Sequence, residues 1–351
     1  MRLGVLSSCW PCYERRMWWY PDAFARKVPY LEERAQIMQR VRDFFAARGY
    51  LEVDTPALQT APCMEPHLQA FKTELVSPDL QSRRTLYLHT SPEFAMKKLL
   101  VAGLPRIFQL ATVFRNAEGS NWHSPEFSML EWYQAGMDYT QMMDETAELV
   151  RYAAGAGNML IANGKTCNPH KDWEKITVVE ALRKYADIDI EPHLGDLDHI
   201  RAEAARINVY TSPQDDWDNA LLKILMDKVE PHLGMTVPTV IYDYPVSMAA
   251  LARPKPEDGR FAERFEVYVC GIELANAFGE LTDAKVQRER FAHDVAARKR
   301  IYGDDYPVDE DFLKAIEYGL PPSSGNALGL DRLVMLITGA DHIDMVRAAP
   351  V

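Results

Sequence analysis

Three stretches of the chain carry side chains whose types and spacing could do chemistry. Residues 114–133 read FRNAEGSNWHSPEFSMLEWY. Ile107, Gln109, Ala111, Val113 and Arg115 fall on one side of an alternating run before the loop. Phe127, Met129, Glu131 and Tyr133 fall on one side of a second run after it. Strands send alternate side chains to opposite faces. Two strands would therefore bring an aromatic ring, a carboxylate and a phenol to one face, with Arg115 next to them. The connecting loop holds Asn116, Glu118, His123 and Glu126. A half-buried hairpin with a wet polar face would satisfy the alternation alone. The combination of side chains suits a phosphorylated, aminated ligand better.

The second stretch, residues 264–276, reads RFEVYVCGIELAN. A two-residue turn at Cys270-Gly271 pairs Val269 with Ile272 and Tyr268 with Glu273. In that register Glu266 and Glu273 lie diagonally on one face, close enough to share a divalent ion such as Mg²⁺ that would relieve their repulsion. The plainer alternative is an acidic hairpin in solvent. Asn276, Phe278 and Glu280 share the opposite face unless a bulge intervenes, and no bulge is visible in the sequence. The third stretch, residues 321–332, reads PPSSGNALGLDR and runs into Leu333, Val334, Met335, Leu336 and Ile337. Gly325 and Gly329 would let a nucleotide approach the backbone, and Arg332 at a helix start could neutralise phosphate. Glu93 follows Pro92 where another helix can begin, near the positive end of its dipole.

The elements that must position these groups are legible in part. Ile37, Met38, Val41, Phe44 and Phe45 predict a helix from Leu31, stopped at Gly49, followed by a strand at 50–53. A strand at 85–89 precedes the helix carrying Phe94, Met96, Leu99 and Leu100. Further on, 138–152 is a helix candidate and 163–175 is polar and loop-like. A helix with Trp217, Ala220, Leu221, Ile224 and Leu225 is opened by Ser212-Pro213. Residues 237–243 form a strand, and 285–300 a charged helix. Composition is that of an ordinary globular chain: 351 residues, 47% hydrophobic, 26% charged, net charge -12. The acidic balance disfavours a large nucleic-acid footprint, and no run of about 18 apolar residues suggests a membrane span. Five cysteines (Cys9, Cys12, Cys63, Cys167 and Cys270) at irregular spacing and no secretory segment fit a cytoplasmic protein. Cys9-Trp-Pro-Cys12 has redox-motif or half-zinc spacing without a matching second pair.

The three stretches, in this order and with the helix and strand before them, resemble the signature motifs of class II aminoacyl-tRNA synthetases. The lysyl branch is most similar, and within it the short paralogues that act as elongation factor P–lysine ligases. The resemblance covers the chain from about residue 30. It implies an α+β fold with an antiparallel sheet flanked by helices, a homodimer, and ATP and Mg²⁺ as co-substrate and cofactor. It implies one catalytic domain at 29–351 after an extension at 1–28, whose first sixteen residues could precede the true start at Met17. No barrel for binding an anticodon is expected, and so no full tRNA partner. The implied reaction activates (R)-β-lysine or lysine as an adenylate and passes it to a lysine side chain of elongation factor P.

By the same resemblance, Arg115 binds the α-phosphate and the amino-acid carboxylate, and Phe127 stacks on adenine. His123 and Arg332 hold the outer phosphates, and Glu266 and Glu273 carry Mg²⁺. Asn116, Glu118, Ser124, Leu274 and Gly329 complete the ATP site. Glu93 meets an amino group of the substrate; Tyr133 and Glu280 bind the distal ammonium, supported by Glu131. Asn276 assists the carboxylate, and Ser91, Pro92 and Ala327 line the substrate. Two features depart from the family pattern. Ala117 stands where an adenine-reading glutamate is usual, with Glu118 beside it, and Ser124 replaces an asparagine. Ala327 stands where lysyl-tRNA synthetases have glycine, and its methyl suits a β-amino acid. A truncated synthetase that charges tRNA and a non-catalytic lysine-binding paralogue are the competing readings. A class II adenylate-former for another amino acid fits less well, because Glu93, Tyr133 and Glu280 together suit a second ammonium.

Overall fold

The computed structural model describes residues 17–351; Cys9 and Cys12 lie outside the described residues. An eight-stranded sheet runs through the centre. Its strands are β1 (Leu51–Glu52), β2 (Arg106–Phe114), β3 (Glu126–Ala135), β4 (Glu174–Thr177), β5 (Thr239–Pro245), β6 (Phe261–Val269), β7 (Ile272–Gly279) and β8 (Ser323–Gly329). Their spatial order is β1-β2-β3-β8-β7-β6-β5-β4. The six strands from β2 to β5 are antiparallel to their neighbours, whereas β1 and β4 pair in parallel at the two margins. The architecture is α+β as expected, with a mixed sheet whose parallel pairs are confined to its edges.

One face of the sheet is covered by α1 (Val28–Ala47), α3 (Tyr139–Ala154) and α5 (Leu330–Thr338), with α2 (Glu93–Val101) and α4 (Ala284–Tyr302) elsewhere in the chain. Alternation explains which side chains go where. Phe108, Leu130, Trp132, Val267, Ala275 and Leu328 point into a core shared with Phe44, Phe45, Met142, Leu149, Leu333 and Leu336. On α1 the buried set is Ile37, Val41, Phe44 and Phe45, one stripe at three- and four-residue steps. Gly49 (φ +73°) ends that helix region. The opposite face of the sheet carries odd-numbered side chains of β2, β3 and β8 and even-numbered ones of β6 and the later part of β7, and α2 packs over part of it through Phe94, Met96 and Leu100.

Two local expectations are corrected. Residues 163–175 are not a plain loop: Asn163 (φ +50°) and Gly164 (φ +71°) form the turn of a hairpin joining Leu160–Ala162 to Lys165–Cys167. Asn-Gly supplies the two left-handed residues that such a turn needs, a signal hidden by the polar flanks. The helix at Trp217–Ile224 is opened by Asp216, whose side chain accepts from the Asn219 N–H at 3.0 Å. Ser212 and Pro213 lie in the preceding turn, where the Asp215 carboxylate accepts from the Ser212 N–H at 2.7 Å. Among the described residues no helix is long and apolar enough to cross a membrane.

Candidate active site

The open face of the sheet is built from cross-strand rows. Residues directly opposite one another share a face. One row runs Gln109, Glu131, Ala327, Asn276, Glu266 across β2, β3, β8, β7 and β6. The next runs Ile107, Tyr133, Gly325, Phe278, Arg264. The turn at Cys270-Gly271 pairs Val269 with Ile272 and Tyr268 with Glu273, as the sequence predicts. The following pair is Val267 with Ala275, so Leu274 is an extra residue on β7. This bulge reverses the parity of everything after it. Glu273 and Asn276, which regular alternation would place on opposite faces, therefore share one. Leu274 itself is 1% exposed and its side chain lies in the helix-covered core, away from the open face of the sheet.

An acidic pocket forms where α2 crosses this face. Ser91 donates to Glu131 Oε1 at 2.6 Å, Tyr133 donates to Glu131 Oε2 at 2.9 Å, and the Ser91 hydroxyl accepts from the Glu93 N–H at 3.1 Å. Pro92 is the N-cap residue of α2. Glu131 and Glu280 are both fully buried. Burial, reinforced by the Glu93 charge, pushes the Glu131 carboxyl up to about 8. Burial also pushes Glu280 up to about 7, although Lys97 opposes the shift. Glu280 Oε1 and Asn276 Oδ1 are buried acceptors without a protein partner. A Cβ on Gly325 would overlap the Tyr133 ring and Glu280 Oε1, so glycine is what lets these two side chains converge.

A cationic cluster lies further along the face. The Arg115 guanidinium sits 5.3 Å from the Phe127 ring and donates from Nε to the Thr90 carbonyl at 3.3 Å. Arg332 Nη1 donates to the Glu273 carbonyl at 2.7 Å, and Nη2 meets His123 Nε2 at 2.5 Å. His123 Nδ1 lies 2.8 Å from the Ser120 hydroxyl. Burial, then the charges of Arg332 and Arg115, hold His123 down to about 4. The imidazole is neutral, with Nε2 accepting from Arg332. Gly329 caps α5, and a Cβ there would press on the Arg332 stem at 3.3 Å. Ala117 adopts φ +60°, a conformation that costs a non-glycine residue about 1–2 kcal/mol. The half-buried Glu118 that follows has its carboxyl raised by burial, against the opposing charges of Arg115 and Arg332. Asn116 N–H donates to the Gln69 carbonyl at 2.7 Å, tying a second loop to this one. Ser124 is buried in the same loop. Glu126 does not join the cluster: it opens β3 on the other face and meets Arg347 at 3.4 Å.

Glu266 and Glu273 do share a face diagonally, but they are not unpaired. Arg264 donates to Glu266 Oε1 at 2.6 Å, Tyr244 and Tyr268 donate to Oε2 at 2.7 and 3.0 Å, and Arg332 lies 3.5 Å from Glu273. Part of the repulsion expected to call for a metal is thus met by arginines. Negative charge is still in excess nearby. Burial, followed by the charges of Glu266 and Glu273, pushes Glu230 up to about 7. A divalent ion therefore fits this corner through carboxylate oxygens, with Glu273 the more accessible ligand. Among the described residues no group of three or more His, Cys, Asp or Glu is arranged to hold a metal by itself.

Sequence reasoning missed Lys97, Arg264 and Glu230. Lys97 was detectable: it sits four residues after Glu93 on a face otherwise made of Phe94, Met96 and Leu100, where a lysine is out of place unless paired. Arg264 shares parity with Glu266 on β6. Glu230 comes from a separate segment, and nothing local marks it.

Comparison with known proteins shows the family. The family model described as tRNA synthetases class II (D, K and N) matches residues 23–351. The chain is 40% identical over 333 residues to elongation factor P–(R)-β-lysine ligase of Vibrio cholerae, covering 95% of this chain and 97% of that one. It is 41% identical to the ligase of the same name from Proteus mirabilis, with 95% and 97% covered, and 42% identical to that of Salmonella arizonae, with 93% and 95% covered. The chain belongs to the class II tRNA synthetase family of the D, K and N type.

Proposed function

We propose that this chain is an ATP-dependent ligase. It activates (R)-β-lysine, or lysine, as an aminoacyl-adenylate and transfers it to a lysine side chain of elongation factor P. The observation that carries the reading is one sheet face with a buried acidic pocket at one end and Arg115, His123 and Arg332 at the other. The names of the relatives support the choice of substrate and acceptor. In the first step a carboxylate oxygen of the amino acid attacks the α-phosphorus of ATP and pyrophosphate leaves. In the second, the ε-amine of the acceptor lysine attacks the acyl carbon, loses a proton, and AMP leaves. No covalent enzyme intermediate is needed; orientation and charge stabilisation supply the catalysis.

Arg115 binds the α-phosphate and the substrate carboxylate, with Asn276 beside the latter. Phe127 stacks on adenine, and Asn116, Ser124, Gly329 and the Leu274 backbone complete the nucleotide site. Glu118, turned inward by Ala117, takes the place of the missing glutamate. His123 and Arg332 hold the outer phosphates. Glu266 and Glu273 would hold magnesium, which supplies charge neutralisation to the triphosphate when bound. Ser91, Pro92, Glu93, Glu131, Tyr133, Glu280 and Ala327 form the amino-acid pocket, and the Ala327 methyl favours the β-isomer. The reading includes a homodimer in the cytoplasm, one catalytic domain over 29–351, and no full tRNA partner.

The test is mass spectrometry of elongation factor P after incubation with this protein, ATP and each lysine isomer, with pyrophosphate exchange run in parallel. A mass increase of one acyl residue, larger with (R)-β-lysine, is expected. Exchange without transfer, accompanied by aminoacylation of tRNA, would favour a tRNA-charging enzyme. No exchange with either isomer would remove adenylation.

A further inference from the structure

Lys97 has no role in the reading above, yet it occupies the centre of the acidic pocket. It lies on α2 and is 1% exposed. Its ammonium donates to Glu93 Oε1 at 2.5 Å and forms an ion pair with Glu280, with the Phe312 ring 6.0 Å away on its apolar side. Glu131 and Tyr133 face it from β3. Arg253, the other nearby cation, is matched by Glu263 at 2.6 Å and adds no net charge. Three carboxylates, Glu93, Glu131 and Glu280, thus stand against one ammonium, and the pocket is two positive charges short. A buried imbalance of that size is costly unless something neutralises it, and Glu280 Oε1 is a buried acceptor still without a partner.

We propose that Lys97 is a positioning residue that sets the charge capacity of this pocket. It holds the Glu93 and Glu280 carboxylates and leaves a deficit that a ligand with two ammonium groups fills and a ligand with one does not. The inference rests on the diamine reading of the site. It also implies proton exchange. Without ligand, Glu131 retains its proton at neutral pH and Glu280, opposed by Lys97, is partly protonated there, for the reasons of burial given above. The ligand's ammonium groups take over the neutralisation and protons leave to solvent.

Calorimetric titration of the full chain tests this. (R)-β-Lysine, lysine and norleucine are titrated in buffers of different ionisation enthalpy at pH 7 and pH 9, with wild type, Lys97→Met and Lys97→Arg. Wild type is expected to release protons on binding a diamine and to bind norleucine at least about tenfold more weakly. Lys97→Met is expected to lose about tenfold or more in diamine affinity at pH 7. It recovers part of this at pH 9, where the carboxyls it leaves unpaired ionise, and its ATP affinity is unchanged. Lys97→Arg keeps the charge and falls between the two. Parallel loss of ATP and diamine affinity in Lys97→Met, or no loss at all, would overturn the positioning role while leaving the diamine reading in place. If Lys97→Met does not fold, the wild-type titration decides: diamine binding without proton release overturns the proposal. Wild type that binds no diamine in preference to norleucine removes the diamine reading and this inference with it.

Discussion

Glu280 is fully buried beside Lys97, and replacing it isolates one charge from its shape. Glu280→Gln keeps the volume over Gly325 but removes a negative charge that both Lys97 and a ligand ammonium would use. A charge-assisted hydrogen bond is worth about 1.5–3 kcal/mol. Pyrophosphate exchange should therefore show KM for the amino acid raised about 10- to 100-fold, with KM for ATP unchanged. Equal changes in both constants would mean that the pocket and the cationic cluster do not serve separate ligands. His123 makes a second residue-scale case. Its ring stays neutral because burial, Arg332 and Arg115 all disfavour the imidazolium. A group with a depressed folded value contributes stability above its unfolded value, near 6.5, and loses it as pH falls toward about 4. His123→Gln retains an acceptor for Arg332 and should flatten the acid limb of stability between those two values. A denaturation series at pH 4 to 6.5 reads this out, and an unchanged slope would sink it.

At the scale of elements, the decisive features are a bulge and a glycine. Leu274 inserts one residue into β7, so Glu273 meets Tyr268 while Asn276 meets Glu266. Strand parity read from the sequence puts Asn276, Phe278 and Glu280 on the face opposite Glu273 unless a bulge intervenes; the structure supplies that bulge, which has no compositional mark here. Gly325 sits in β8 opposite Tyr133 and Phe278. Gly325→Ala drives a methyl into the Tyr133 ring and Glu280. Overpacking of this kind costs about 1–3 kcal/mol. The expected result is a lower Tm together with weaker amino-acid binding, and circular dichroism and the exchange assay measure the two. An alanine variant with wild-type KM and Tm would show that the convergence over Gly325 is not needed.

At the scale of the molecule, the buried carboxyls couple stability to pH and to ligand. Glu131, at about 8, and Glu280, at about 7, both lie above the unfolded value for glutamate, near 4.5. The folded state binds their protons more tightly than the unfolded chain. Their contribution is fully present below the unfolded value and is lost as pH rises through about 7 to 8. Glu230 adds a term of the same sign. The melting temperature of the unliganded protein should fall between pH 5.5 and 8.5, and saturating (R)-β-lysine should remove the larger part of that fall. Scanning fluorimetry with and without the amino acid reads it directly. A ligand effect independent of pH would count against coupled protonation.

Local pattern was enough to define the two strands around residues 114–133, the β6–β7 turn, the glycine-rich entry to α5, and the buried stripe of α1. Each depends on alternation, helical spacing or a residue that a turn requires, all of which act over a few neighbours. The resemblance carried by those motifs supplied the family and the proposed roles. Tertiary structure alone decided which faces meet. Lys97 reaches Glu280 across 183 positions of chain, Arg332 reaches His123 across 209, and the Leu274 bulge brings Asn276 and Glu280 round to them. Such contacts arise from sheet order and register, and from the cost of burying charge without a partner, and neither is written in any short stretch of residues.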